Sequence, residues 1–143
     1  MGTRSTTKVY GQWGDGDPRL LLSLYKQYDG YTESWGKTLK DFIRSQKFVN
    51  GIGKDRNVFN GAGCFAAQLV AKFKTESGDI YCTDAEDEQY RNYAIIIKDA
   101  GKPDFDGDRF EIRIECAERP QFNETIVSEF PMDEKHPHLK GRI

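Results

Sequence analysis

A chain of 143 residues with a 37% hydrophobic share, a 13% aromatic share and a net charge of −2 has the composition of one folded domain and excludes a disordered chain. Its cations are dispersed, with no basic stripe to neutralise a run of phosphates, so a long nucleic acid is not the expected partner. No apolar run approaches the length of a membrane span, and Met1-Gly2-Thr3-Arg4-Ser5 has no apolar segment of the signal-peptide kind. Cys64, Cys82 and Cys116 are odd in number and widely spaced among apolar neighbours, which fits reduced thiols and a cytoplasmic location.

Residues 6–13 read as a strand. Gly14-Asp15-Gly16-Asp17-Pro18 turns the chain into a second apolar strand over 20–28, and the two make a hairpin. After Asp29-Gly30, Thr32 or Ser34 is placed to cap a helix whose Trp35, Leu39, Phe42 and Ile43 recur at helical spacing and which stops near Ser45. Residues 49–57 carry turn formers and no period, which predicts a surface loop. Ala62, Phe65, Ala66, Leu69, Val70 and Phe73 form the stripe of a second helix, closed by Ser77-Gly78.

From there the period changes to two, which predicts strands over 79–83, 90–98, 109–116 and 125–130. In the third of these, Phe110, Ile112, Ile114 and Cys116 face one way and Arg109, Glu111, Arg113 and Glu115 the other. The expected fold is α+β: an antiparallel sheet with two helices inserted after the first hairpin and packed on one face. Residues 1–131 are read as a single domain and 132–143 as an extended or flexible arm.

Catalysts are scarce. His136 and His138 fall in the polar tail, where neither makes a well-positioned general base or more than a weak metal site. Asp104, Asp106, Asp108 and Glu115 imitate the spacing of a calcium loop, but Arg109 stands where that loop needs glycine and the following residues read as strand. Asn60-Gly61-Ala62-Gly63-Cys64 opens the second helix; free N–H groups there can hold a phosphate, but close packing of the small residues is the better reading. No metal, cofactor or catalytic residue is expected.

Ligand chemistry rests instead on side chains of the strands. Arg91 and Tyr93 share one face, Asn92 takes the other, and Arg109 and Arg113 share the polar face of the next strand. Guanidinium forks bind phosphates bidentately, while amides and rings read bases and ribose hydroxyls. Arg109 and Asn92 rank first as ligand contacts, followed by Arg91, Arg113, Tyr93 and Arg4. The competing reading is a solvated sheet face with ion pairs, such as Arg113 beside Glu111 and Glu115. Arg91 and Asn92 share one pocket only if the strand bulges or two subunits form the site.

Gly2-Thr3-Arg4-Ser5, Tyr28-Asp29-Gly30-Tyr31 with Gly36, and Asn60-Gly61-Ala62-Gly63-Cys64-Phe65-Ala66-Ala67 resemble, in order, the motifs of a family of small phage and prophage proteins. The motifs span about the first half of the chain. Thr32 and Trp35 stand where relatives often carry Pro and His, so any function of that His is not carried over. The length and element order also resemble the first class of Thoeris anti-defence proteins, which sequester a cyclic ADP-ribose isomer without cleaving it, in pockets of a homo-oligomer.

The resemblance implies a phage-encoded sponge for a cyclic ADP-ribose-type nucleotide, working in the host cytoplasm as a homodimer or larger assembly. Two other readings remain open on the residues. One is a protein-binding inhibitor of a host defence factor anchored by Trp13, Tyr25, Tyr28 and Tyr31; the other is a metal-dependent nucleotide-cleaving enzyme using Asp104, Asp106 and Asp108.

Overall fold

The structure, a computed structural model, describes residues 3–51, 57–84, 91–101 and 106–132. Two helices and eight strands build the expected α+β fold: β1 (Ser5–Gln12), β2 (Arg19–Lys26), α1 (Lys37–Arg44), β3 (Lys47–Val49), β4 (Val58–Asn60), α2 (Gly61–Phe73), β5 (Tyr81–Cys82), β6 (Arg91–Asp99), β7 (Gly107–Cys116) and β8 (Glu124–Pro131). Six strands form one sheet in the order β5-β2-β1-β6-β7-β8. Each pair is antiparallel except the central one, where β1 runs parallel to β6 with Thr6 opposite Asn92 and Lys8 opposite Ala94. A parallel pair needs a long crossover, and the two helices lie in the segment that supplies it.

Two short strands that the sequence reading missed, β3 and β4, flank the residues read as a surface loop and pair in parallel. Phe48 and Phe59 of these strands are fully buried. Their rings lie 4.9 Å apart, and both meet Phe65 of α2, at 5.7 and 5.0 Å. The β3–β4 pair is therefore a wall of the core. The first helix opens differently from the sequence expectation too: neither Thr32 nor Ser34 caps it, and a wide turn over Thr32–Gly36 leads into α1. That turn buries Trp35, whose indole N–H donates to the buried Thr7 hydroxyl of β1 at 2.9 Å, satisfying the polar edge of a ring held in the core.

Alternation decides which sheet face the helices cover. Val9, Leu24, Ile95, Ile97, Ile112 and Ile114 are buried with Leu39, Ile43, Phe65 and Leu69 of the helices in one cluster. Their strand neighbours, among them Lys8, Asn92, Arg113 and Val127, point to the opposite face and take no part in that cluster. One face of the sheet is a core; the other is a platform.

The motifs that carry the family resemblance acquire a structural reason. Gly30 donates its N–H to the Thr3 carbonyl at 2.8 Å, and its own carbonyl accepts the Tyr93 hydroxyl at 2.6 Å. A Cβ on Gly30 would come within 2.6 Å of Ser5 Cβ, so only glycine allows this approach. The Thr-Arg-Ser start and the Asp-Gly-Tyr turn thus form a clasp at the beginning of β1 and β6. At the Asn-Gly helix start, close packing does not explain the glycines, since a Cβ at Gly61 or Gly63 would meet open space; Gly61 instead takes a φ of 82°, the left-handed region that favours glycine, while Ala62 packs against β1. A Cβ added at Gly11 of β1 would lie 3.1 Å from Ala62 Cβ, and Asn60 Oδ1 accepts the Gly51 N–H at 3.0 Å.

Candidate ligand-binding site

At the end of the platform where β6 begins and β7 finishes, an open concavity of about 920 Å3 is lined by Lys8 and Tyr10 of β1, Arg91 and Asn92 of β6, and Glu118 and Arg119 of the turn after β7. Three cationic side chains meet there with the Tyr10 ring, the amides of Asn92 and Asn123 and the carboxylates of Glu115 and Glu118. It is large enough for a nucleotide-sized molecule. Arg91 and Asn92 both line it although they alternate along the strand, because β6 pairs with β7 only from Tyr93 onward, and the strand end is reached from both sides.

The Asn92 side chain is held by its neighbours. Thr6 donates its hydroxyl to Asn92 Oδ1 at 2.7 Å, which turns the amide nitrogen toward Glu118. Asn92 Nδ2 then donates to Glu118 Oε2 at 2.8 Å and the Asn92 backbone N–H to Glu118 Oε1 at 2.7 Å. The Cys116 thiol adds a weak donor to the same carboxylate at 3.7 Å. Burial pushes that thiol above its ordinary value, so it serves as a neutral donor and a poor nucleophile.

The other sequence candidates scatter. Arg109 lies at the far end of β7, where Nη1 pairs with Glu129 at 2.9 Å while its buried Nε has no acceptor among the described residues. The N–H of Ala100 donates to the Arg109 carbonyl, so Asn92 and Arg109 are separated by eight residues of extended chain, about 26 Å. No single copy can bring both onto one small ligand. Arg113 is exposed and ion-paired with Glu115, the solvated arrangement weighed against ligand contact in the sequence. Arg4 is exposed and does not line the concavity; its backbone carbonyl accepts the Arg91 N–H at 3.2 Å.

Tyr93 corrects the sequence ranking most clearly. Its ring is 2% exposed and meets Phe122 edge-on at 5.6 Å, so it is part of the core and no stacking surface for a base. Desolvation raises its hydroxyl well above the ordinary 10.0. Because the folded value exceeds the unfolded one, the stabilisation is complete below about pH 10 and declines as the pH rises beyond it. Urea midpoints of the wild type and Tyr93→Phe are therefore expected to converge as the pH climbs past that point. A gap that stays constant would contradict this assignment.

Two further sequence readings lose their geometry. Asp108 lies within β7, opposite Phe130, and Glu115 lies seven residues further along the same extended strand, so the two cannot close a calcium loop; Asp104 lies outside the described residues, as do His136 and His138. The proposed aromatic anchors do not make one patch either: Trp13 follows the end of β1 at the hairpin tip, whereas Tyr28 and Tyr31 follow β2 at the opposite end of the hairpin. Glu118, the residue around which the concavity is organised, went unnoticed in the sequence because a glutamate in a turn has no distinguishing pattern.

Comparison with protein-family models, with curated proteins and with solved structures finds no match to this chain. No helix among the described residues is long and apolar enough to cross a membrane.

Proposed function

We propose that this protein sequesters a cyclic ADP-ribose-type nucleotide without cleaving it, and that two copies share each site. The observation that carries this reading is the concavity at the Asn92 end of the platform, where Lys8, Arg91 and Arg119 ring a space sized for a nucleotide. Cations of this kind attract a pyrophosphate, and Tyr10 offers a ring for a base. Resemblance to the Thoeris anti-defence sponges supports the cyclic ADP-ribose assignment and the absence of turnover.

The sharing of sites follows from distance. Arg109, whose buried Nε–H has no acceptor among the described residues, is a fitting anion contact but lies at the far end of its own sheet. A second copy laid face to face on the platform, about a twofold axis running across the strands, reverses the strand direction. Its Arg109 end then covers the first copy's Asn92 end, and the reverse. The platform, with Leu20, Tyr10 and Val127 among its charges, would be buried in the same step.

Calorimetric titration with cyclic ADP-ribose isomers, and with cyclic oligonucleotides as a contrast, tests the proposal. Saturable binding of a cyclic ADP-ribose isomer is expected, by a species that elutes at twice the 16.4 kDa chain mass or more. Elution as a monomer, or indifference to every isomer, contradicts it.

A further inference from the structure

The concavity has a wall of unusual construction. Two carboxylates line it beside the cations: Glu115 is taken up by an ion pair with Arg113, whereas Glu118 is held by the Asn92 backbone N–H at 2.7 Å, Asn92 Nδ2 at 2.8 Å and the Cys116 thiol at 3.7 Å. Thr6 fixes the amide from behind. A carboxylate placed only to balance charge needs no such cradle, since a loose ion pair with Arg91 or Arg119 would serve. Orienting both oxygens through one residue fixes the plane of the group.

A carboxylate offers about four lone-pair directions; of those on Glu118, one on Oε2 is left open, and the second on Oε1 is met only by the weak thiol donor at 3.7 Å, which a hydroxyl outcompetes. Two acceptors side by side on a fixed plane match two adjacent hydroxyl donors, and they repel a phosphate. We infer that Glu118 binds the vicinal hydroxyls of a ribose, and that Asn92 is a positioning residue that acts through Glu118 and makes no decisive ligand contact of its own. The inference rests on the nucleotide reading above and adds its chemical specificity. The cations Lys8, Arg91 and Arg119 take the anionic part of the ligand, and Glu118 selects a ribose over a deoxyribose. The same arrangement explains why a site for an anion tolerates a carboxylate in its wall: a hydroxyl donor turns the charge from a repulsive element into an acceptor, and an anion lacking that donor is disfavoured.

Calorimetry with cyclic ADP-ribose and its 2′-deoxy and 3′-deoxy analogues, on the wild type and on Glu118→Gln, provides the test. The wild type is expected to bind the parent at least about tenfold more tightly than one deoxy analogue, the loss expected when a hydrogen bond to a charged group is removed. Glu118→Gln, which keeps the size of the side chain and an acceptor for one hydroxyl, is expected to bind the parent more weakly and to lose most of that preference. Asn92→Ala should lower the hydroxyl preference too, a change that a merely structural residue would not produce; a thermal melt identifies any variant that fails to fold, and Glu118→Asp, with its carboxylate withdrawn from the concavity, then reads the same preference. Equal binding of parent and deoxy analogues by the wild type, or an undiminished preference in Glu118→Gln, overturns the role of Glu118 while leaving sequestration intact. Failure of the parent to bind at all overturns the nucleotide reading, and this inference with it.

Discussion

Phe48→Ala is expected to lower the unfolding free energy by about 3–5 kcal/mol, the cost of emptying a large aromatic site that its surroundings cannot fill. Phe48 is fully buried and touches the ring of Phe110 in β7 at 5.7 Å as well as those of Phe59 and Phe65. Its backbone N–H donates to the Ser128 hydroxyl of β8 at 2.9 Å. One residue thereby ties the β3–β4 pair to α2 and to β7 and β8 at one side of the main sheet. Since small domains are stable by only about 5–15 kcal/mol, the variant should be close to unfolding at physiological temperature. Lys72→Ala, on the exposed side of α2, is the control and should shift the urea midpoint little. A loss below about 1 kcal/mol for Phe48→Ala would mean that β3 is not part of the core.

The second large effect concerns the shared site. Asn92→Ala and Arg109→Ala are each expected to weaken nucleotide binding by at least about tenfold, the first by releasing Glu118 and the second by removing a charged fork. Mixed in equal amounts and allowed to exchange subunits, the two variants should recover binding that neither shows alone. Half of the dimers formed at random are mixed; each of these holds one site with both lesions and one with none, so about a quarter of all sites are intact. A site built within one copy has no such route to recovery. A mixture as weak as its components, with exchange verified by mass, therefore excludes a shared site whatever the affinity of the wild type.

Much of this architecture was legible in the sequence, for reasons visible in particular residues. Alternation in β7 separated Phe110, Ile112, Ile114 and Cys116 from the charged face, and all four are buried. The apolar stripe of α2 was equally clear, with Phe65 and Leu69 fully buried. In β6 the signal failed: Ile95, Ile96 and Ile97 are all apolar, so the period of two is lost where it was needed to assign Tyr93 to the core face. Parallel pairing of β1 with β6 was also illegible, because it joins residues some eighty positions apart and depends on what the crossover covers. The strands β3 and β4 have three residues each, too few to show any period.

The site divides in the same way. Arg91 and Asn92 were recognisable as strand residues with ligand chemistry, and the concavity holds both. Their distance from Arg109 could not be read without the β6–β7 register. Arg109, Arg113 and Arg4 look alike as guanidinium groups in a sequence. Only the fold distinguishes a fork partly buried beside Glu129 from one ion-paired in solvent with Glu115 and one on an exposed chain end.

Holding without breaking is the core of the functional account, and recovery of the ligand tests it most directly. The purified protein is incubated with cyclic ADP-ribose isomers, freed of unbound material by gel filtration, unfolded by heat and cleared of precipitate, and the released molecule is run against the starting compound by chromatography. The account predicts that the starting compound returns unchanged, in an amount that scales with protein and does not decline with incubation time. Release of a linear ADP-ribose product in excess of the protein present would contradict it, and so would a supernatant with no nucleotide from any isomer.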